Sequence, residues 1–314
     1  MRLRMAVMIN ALTIDVEDYF QVNAFEPVVS RSNWDAYPLR VVDNTTRVLD
    51  ILDETGVKGT FFVLGWVAER TPELVRAIAD RGHEVACHGY GHELVFRIGP
   101  DRFRRDIRIS KALLEDACGK PVRGYRAPSY SITAQSLWAF EILAETGFSY
   151  DSSIFPIHHD VYGIPGARRC PHRIETAAGS ILEFPLTTVP FSVAGRQFNV
   201  PVAGGGYFRL LPVSLVCAGL RAVNGREGMP AVFYLHPWEF DPEQPRIPGA
   251  GLKSRFRHYV NLSRTADKFR KLLSRFSFAP MGEVLDGLPG LDAEVAAPFG
   301  VSGPEKLTPT GQEV

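Results

Sequence analysis

The sequence predicts an α/β fold, a distorted or incomplete (β/α) barrel of seven to eight parallel strands. Segments with apolar residues at helical spacing alternate with short apolar runs, and a glycine follows each helical segment. This alternation is typical of βαβ units, which build parallel sheets. Seven or eight strands suit an incomplete barrel, and an open doubly wound sheet is the alternative.

Helix signals and apolar runs follow one another along the first half of the chain. Thr71 caps a helix that begins with proline, and glycine marks the helix ends, as is typical of these positions. The predicted helices are residues 41–55, Pro72 up to Gly82, residues 101–117, and Thr133 up to Gly147. The predicted strands are ALTID, GTFFV, EVACH, VRGYR, FSYD, ILEFPL and AVFYLH, with FSFAP as an eighth.

The second half of the chain is less regular. Residues 152–180 are expected to form a long loop, and residues 190–209 a second insertion rich in glycine and aromatic residues. Long loops inside a compact domain usually carry function. We assign residues 1–286 to one domain, in which residues 241–286 form a C-terminal extension packed on the barrel. Residues 287–314 lack periodicity and are predicted to be disordered.

Composition excludes several classes of protein. The 314 residues include 35 basic and 35 acidic side chains, and this balance argues against a nucleic-acid partner. The 4 cysteines lie far apart, so neither a zinc ribbon nor a disulfide framework is indicated. No apolar stretch is long enough to span a membrane, and no cleavage site precedes Asp15, so we expect a soluble, cytoplasmic protein. Nothing in the sequence indicates the oligomeric state.

Ionisable residues end five of the predicted strands: Asp15, His88, Arg126, Asp151 and His236. In a parallel barrel the carboxyl ends of all strands lie on one face, and that face holds the active site. We therefore expect these five side chains to converge.

Two histidines and a cluster of carboxylates suggest a metal site. His88 and His92 are four residues apart, a spacing that can present both imidazoles to one ion. Asp15, Glu17 and Asp18 end the first strand. Two histidines and one carboxylate leave open positions on zinc or a similar divalent ion, the pattern of a catalytic site.

The segments TIDVED, HGYGH, YRAPSY, FSYDSSIFP and YLHPWEF, in that order, resemble the five motifs of the NodB-homology polysaccharide deacetylases (carbohydrate esterase family 4). The resemblance covers roughly residues 11–240. The segments DVEDYF and GGGYFR are similar to the deacetylases encoded with bacterial exosortase (PEP-CTERM) exopolysaccharide systems. This resemblance implies a hydrolase that removes N-acetyl groups from amino sugars of a polysaccharide or oligosaccharide. It also implies a divalent cofactor, with zinc expected and cobalt, nickel or manganese as alternatives.

The resemblance implies a role for each matched position. Asp15 matches the catalytic base and Arg126 the arginine that holds this base. His88 and His92 match the two metal-ligand histidines. His236 matches the general acid that protonates the leaving amine.

Further positions would tune the acid or bind the substrate. The resemblance implies that Asp151 tunes the general acid and that Leu235 lines the pocket for the acetyl methyl group. It places the turn from Pro128 to Tyr130 at the border of the groove. The backbone N–H of Tyr130 would there help to bind the oxyanion that forms during hydrolysis. Trp238 is a candidate for stacking on a sugar ring.

The first motif departs from the family pattern of two adjacent aspartates, because Val16 follows Asp15. The third metal ligand is therefore Glu17 or Asp18. Alternation along an extended strand puts Glu17 on the face of Asp15, whereas a turn at this point would select Asp18. Because the first motif departs from the family pattern, a small linear or cyclic amide is an alternative substrate.

Glu239, the glycines at 204–206 and the class of the protein each have alternative interpretations. Glu239, close after His236, either contacts the substrate or caps a turn. The glycines at 204–206 either cradle an anion with successive backbone N–H groups or form the hinge of a lid, and the hinge is favoured because no lysine or helix start follows them in phosphate-binding form. A non-catalytic carbohydrate-binding protein is the alternative of another class, and the presence of both a candidate acid and a candidate base argues against it.

Overall fold

A ten-stranded, mostly parallel sheet forms the centre of the structure, a computed structural model that describes residues 8–159, 162–193, 196–288, 290–291 and 295–296. The strands of the described residues are β1 (Ile9–Val16), β2 (Thr60–Val63), β3 (Glu84–Cys87), β4 (Gly124–Tyr125), β5 (Tyr150–Asp151), β6 (His172–Thr176), β7 (Gly179–Glu183), β8 (Thr188–Val193), β9 (Arg196–Pro201), β10 (Val232–Leu235), β11 (Ser277–Ala279) and β12 (Val295–Ala296). Of these, β8 and β9 form a separate two-stranded sheet. Each of the eight predicted strands is present, and the α/β prediction is confirmed.

The sheet order is β10-β1-β2-β3-β4-β5-β7-β6-β12, with β11 paired to β1. All of these pairs are parallel except the antiparallel hairpin of β6 and β7. Within the described residues no ladder joins β7 to β10. A hydrogen bond from Val232 N to Thr187 Oγ1 (2.7 Å) and a bridge between Gly204 and Tyr234 lie beside β10 instead.

Helices pack against the sheet. They are α1 (Val41–Thr55), α2 (Gly65–Arg70), α3 (Pro72–Asp80), α4 (Val95–Cys118), α5 (Ala139–Glu145), α6 (Gly205–Leu210), α7 (Val213–Arg226), α8 (Leu252–Tyr259), α9 (Thr265–Leu273) and α10 (Met281–Asp286). Of these, α10 lies in the same apolar cluster as Ala11. The predicted helix at 41–55 has the observed bounds of α1. The third predicted helix starts earlier, with a break in helical geometry at Gly99, and the fourth starts later, at Ala139.

Side chains alternate between two faces along β1. Leu12, Ile14 and Val16 pack in the larger apolar core, together with buried residues of the surrounding helices. Ala11 lies in a smaller apolar core with residues of β2, β3 and β10. Because alternate residues share a face, the residue at position 15 points to the side of this smaller core, where the candidate site lies.

Several irregular segments have more structure than predicted. The expected loop at 152–180 contains β6 and the start of β7, and the insertion at 190–209 contains the antiparallel hairpin of β8 and β9 followed by α6. Most of the tail at 287–314 lies outside the described residues, but β12 within it pairs with β6. The predicted domain boundaries at 241 and 286 stay a prediction. Among the described residues, no helix combines the length and apolarity needed to cross a bilayer.

The glycines at 204–206 pack against β10 rather than standing free as a hinge would. Gly204 has φ +141°, and a Cβ atom at this position would lie 1.9 Å from the carbonyl oxygen of Tyr234. Gly205 has φ +51°, and a Cβ there would lie 2.9 Å from the Tyr234 ring. The first two glycines therefore allow the chain to approach β10 closely at the start of α6.

We expect Gly204→Ala to destabilise the protein by roughly 2–4 kcal/mol, because it combines backbone strain with overlap against a strand carbonyl. Gly206→Ala is the matched control, since its Cβ would have only an ordinary contact, 3.8 Å from Arg209. Denaturant unfolding of both variants measures the difference. Equal stability of the two variants would show that the close approach at Gly204 is unimportant.

Candidate active site

Three residues predicted to bind a metal lie together at the carboxyl ends of β1 and β3. The ligand atoms of Glu17, His88 and His92 all lie within 4.8 Å of one another, and each residue is buried. Glu17 follows the last residue of β1, and His88 follows the last residue of β3. The convergence expected from the strand ends is therefore present for this group.

The loop that carries the two histidines is fixed by surrounding groups. Asp106 Oδ1 accepts the N–H of Tyr90 at 2.9 Å, and Arg31 donates to the carbonyl oxygens of Gly91 (2.7 Å) and His92 (2.9 Å). His92 itself has φ +51°, a conformation uncommon for a residue with a side chain. These contacts hold both imidazoles in place without the help of a ligand.

The chemistry of this triad fits a divalent cation. Nδ1 of His88 lies 2.8 Å from the Arg126 carbonyl oxygen, which can only accept, so this nitrogen carries the proton and Nε2 keeps its lone pair. Oε2 of Glu17 is buried and lies 2.7 Å from His92 Nε2, within ion-pair distance. Two imidazoles and one carboxylate whose ligand atoms converge in a buried site are a donor set that suits a divalent ion.

Electrostatics also favours metal-binding forms of these side chains. Burial lowers the pKa of His88 to about 4, which keeps this imidazole neutral. Burial raises the pKa of Glu17, but His92 and the other nearby histidines outweigh this effect and hold the carboxyl pKa below its usual range. A neutral imidazole and an ionised carboxylate are the forms that coordinate metals.

Asp15 lies beside this triad and is paired with Arg126. Arg126 Nη1 donates to Asp15 Oδ1 at 2.7 Å and to Thr13 Oγ1 at 2.7 Å. Its other nitrogens donate to the carbonyl and hydroxyl oxygens of Ser152 at 3.1 and 3.0 Å. Arg126 is fully buried and Asp15 is 2% exposed, so this is an interior ion pair whose orientation is set by four hydrogen bonds.

His236, at the end of β10, faces Asp15 and the triad. Its Nε2 lies 3.9 Å from Asp15 Oδ2 and 3.7 Å from Glu17 Oε1. Its Nδ1 lies 2.8 Å from Glu239 Oε1, which also accepts the His236 backbone N–H at 3.0 Å. Burial lowers the pKa of His236, but the hydrogen bond to Glu239 and the nearby carboxylates raise it overall, to about 9. The imidazole is thus held as a proton donor opposite a carboxylate.

Several curated proteins are similar to about a third of the chain. A peptidoglycan deacetylase-like protein of Gibberella zeae is 36% identical over 110 residues, which are 34% of this chain and 32% of that protein. The peptidoglycan-N-acetylglucosamine deacetylase of Bacillus cereus is 35% identical over 98 residues, 31% of this chain and 36% of the relative. A chitooligosaccharide deacetylase of Bradyrhizobium is 33% identical over 101 residues, 32% of this chain and 43% of the relative. The chain therefore spans less than half the length of each of these relatives.

Two family models match consecutive segments. Residues 27–150 match the family described as polysaccharide deacetylase, and residues 152–286 match a domain of unknown function, DUF3473. Residues 27–150 are therefore similar to polysaccharide deacetylases. Asp15 and Glu17 precede the first matched segment and His236 lies in the second, so the candidate site draws on residues outside the deacetylase match.

A solved structure supports the fold of both matched segments. The crystal structure of a candidate polysaccharide deacetylase from Mycobacterium smegmatis superposes with a TM-score of 0.59 at 23% sequence identity. The match covers 97% of each chain. The same overall fold therefore extends across both matched segments.

Asp18 is not part of the triad of Glu17, His88 and His92. Its Oδ2 accepts the backbone N–H groups of Arg40 (2.7 Å) and Val41 (2.9 Å), and its Oδ1 accepts that of Tyr19 (2.8 Å). These contacts place the carboxylate at the N-terminus of α1, where free N–H groups attract anions. The interpretation of Asp18 as a metal ligand is corrected, and alternation along the strand places Glu17 with the histidines.

Asp151 does not contact the candidate general acid. It accepts hydrogen bonds from the N–H (2.8 Å) and hydroxyl (2.7 Å) of Ser153 and lies opposite Glu183 on β7. Burial raises the pKa of both carboxyl groups. Four strands separate β5 from β10 in the sheet order, and Glu239 occupies the position expected for Asp151 beside His236.

The turn from Pro128 to Tyr130 borders the site, but its contacts differ from the expectation. The Tyr130 N–H donates to the Ala127 carbonyl oxygen at 2.9 Å, so it is engaged within the turn. The phenol hydroxyl of Tyr130 instead donates to Asp15 Oδ2 at 3.4 Å. The side chain rather than the backbone amide of Tyr130 therefore faces the reacting groups.

Leu235 and Trp238 are also placed differently from the expectation. Leu235 packs in the larger core on the helix side of the sheet, whereas Tyr234 shares the inner face with His236, their ring centroids 5.8 Å apart. Trp238 is 5% exposed and stacks between His236 and His258. Its indole N–H donates to Glu17 Oε1 at 3.0 Å, so it orients a candidate ligand rather than offering a platform for a sugar.

The structure agrees with the turn-capping alternative for Glu239, and a sequence signal for Tyr234 was not used. Glu239 lies three residues after His236 with a proline between them, the spacing of a capping box, and the structure forms that box. Alternation along β10 places Tyr234 with His236, two residues apart.

Proposed function

We propose that this chain is a metal-dependent deacetylase that removes N-acetyl groups from amino sugars of a bacterial exopolysaccharide. The observation that carries the proposal is the convergence of a base candidate, an acid candidate and a buried metal-binding triad within one small region. His236 Nε2 is 3.9 Å from Asp15 Oδ2 and 3.7 Å from Glu17 Oε1. A binding protein has no need of a carboxylate and an imidazole held in facing positions.

The residues would divide the work of amide hydrolysis. Glu17, His88 and His92 would hold the cation, and we expect zinc because two imidazoles and one carboxylate suit it. A divalent ion bound there supplies Lewis-acid chemistry, since it acidifies water and polarises the amide carbonyl. Asp15, oriented by Arg126, accepts a proton from the attacking water. His236, oriented by Glu239, donates a proton to the nitrogen that leaves.

The relatives support a carbohydrate substrate. Their names specify peptidoglycan and chitooligosaccharide, both of which contain N-acetylated amino sugars. The motifs DVEDYF and GGGYFR carry the further proposal of an exopolysaccharide pathway of the exosortase type. We expect an N-acetylated polysaccharide or oligosaccharide to bind with its acetamide group beside His236.

Acetate release from acetylated chito-oligosaccharides tests this function. The protein should release acetate after loading with zinc, lose this activity in EDTA, and regain it when metal is added back. Cobalt, nickel and manganese should be compared in the same assay. Tight glycan binding without acetate from any acetylated glycan would contradict the proposal and favour a carbohydrate-binding protein.

A small linear or cyclic amide is the second candidate substrate, and the depth of the site favours it. Glu17 is 2%, His88 2% and His92 3% exposed, and the His236 side chain is 18% exposed. A small molecule reaches such a site more readily than the middle of a polymer does. Hydrolysis of ureides or cyclic imides, with no acetate released from glycans, would decide for this alternative.

A further inference from the structure

Arg209 is a buried arginine of α6 that lies behind His236 and is not a member of the triad. It is 3% exposed. Its Nε donates to Glu239 Oε2 at 2.6 Å, and the other oxygen of the same carboxylate accepts from the ring of His236. Arg209, Glu239 and His236 thus form a continuous row of charge-assisted hydrogen bonds, the strong class of such bonds. This row ends at the ring nitrogen that faces Asp15.

The guanidinium of Arg209 is fixed by contacts other than Glu239. Nη1 donates to the carbonyl oxygens of His258 (2.6 Å) and Val260 (3.0 Å), and Nη2 donates to that of Arg257 (2.9 Å). These carbonyls lie at the C-terminal end of α8, where backbone oxygens lack partners within the helix and attract cations. The position of the guanidinium is therefore set by the end of α8.

We propose that Arg209 is a positioning residue for His236. It holds the Glu239 carboxylate in the orientation that accepts the Nδ1 proton, so that Nε2 stays directed at the reacting groups. The proposal rests on the function proposed above, in which His236 is the proton donor. Arg209, Glu239 and His236 all lie within residues 152–286, so the segment matched by the domain of unknown function gains a role: it supplies the acid of the site and the two residues behind it.

The proposal predicts more than a loss of stability. An arginine that only anchors α8 to α6 would lower the melting temperature when replaced, without changing the hydrogen bond at Nδ1 of His236. A positioning arginine also affects that bond and the rate of the step that needs it. Residues that orient reacting or ligating side chains typically contribute about 10–100-fold to activity.

The test compares Arg209→Ala and Arg209→Lys with the wild type. Arg169→Ala is the matched control, because Arg169 also pairs with a glutamate in this segment (Glu227, 2.6 Å) but lies outside the site. We expect Arg209→Ala to lower kcat about 10–100-fold with KM unchanged. We expect Arg209→Lys to restore part of kcat, since a lysine keeps a positive charge near Glu239, and Arg169→Ala to keep the wild-type kcat.

Proton NMR of the metal-free protein provides a readout that is independent of activity. The Nδ1 proton of His236, assigned with His236→Gln, should be shifted downfield by its bond to Glu239. This resonance should move upfield or disappear in Arg209→Ala and persist in Arg169→Ala. An unchanged resonance in Arg209→Ala, or a loss of activity confined to KM, would overturn the proposal. If the wild type hydrolyses none of the substrates, the proposed function fails, while the NMR comparison still decides whether Arg209 positions His236.

Discussion

Asp15→Asn should reduce kcat for deacetylation by about 10²–10⁴-fold, the contribution typical of a general base. The amide that replaces the carboxylate cannot accept a proton from water at neutral pH. The variant should still bind metal, because Asp15 is not among the three clustered ligand residues. Acetate release and metal content, measured on the same preparation, check both parts of this expectation.

The change at Asp15 also leaves the buried charge of Arg126 without its carboxylate, so a control for folding is needed. Breaking a buried ion pair typically costs about 3–5 kcal/mol. Asp50→Asn is the matched control, since Asp50 pairs with Arg81 at 2.8 Å on the surface. Melting curves should show folded protein for both variants at the assay temperature. Wild-type kcat in folded Asp15→Asn would remove Asp15 from the mechanism.

Glu17→Ala and Asp18→Ala should each lower a different quantity: the first should lower metal affinity, and the second should lower the stability of the fold. Glu17→Ala removes one of three clustered ligands, and we expect metal affinity to fall by more than the about 10–100-fold typical of residues that only orient a ligand. Asp18→Ala removes a helix cap and should cost about 1–2 kcal/mol of stability while metal binding is retained. Isothermal titration with zinc and denaturant unfolding measure the two quantities.

The two neighbouring variants serve as controls for each other. Each removes one buried carboxylate from the end of β1, so a general disturbance of this segment would affect both alike. Loss of zinc from Asp18→Ala with full retention in Glu17→Ala would contradict the assignment of the triad. It would favour a rearranged turn that directs Asp18 inward.

The strand pattern was sufficient to predict much of the fold and part of the site. Parallel strands end on one face, and this rule alone placed Asp15, His88, Arg126 and His236 together. Alternation along β1 favoured Glu17 over Asp18, and the cluster in the structure contains Glu17. These predictions rest on local geometry, which a sequence pattern carries directly.

Partners of the site residues were harder to predict, because they depend on the sheet order. Asp151 ends a strand, as His236 does, but periodicity does not reveal that four strands separate β5 from β10. Leu235 was placed in the site although alternation along β10 puts it on the opposite face from His236. Arg209 had no local signal, since its role depends on the carbonyl groups at the end of α8, about fifty residues later.

The position of β1 also determines when a newly made chain can become active. Ala11 pairs with Val232 on one side and with Ala279 on the other, so these two pairings wait for residues synthesised more than two hundred positions later, although β2 pairs with the end of β1 much earlier. Until β10 is made, the edge of β1 that β10 covers is available to other unpaired strands. On the ribosome, a nascent chain that carries Asp15 and both histidines still lacks its proton donor until β10 emerges. Chaperones that shield β1 during synthesis would therefore raise the yield of active protein more than chaperones that act on the completed chain.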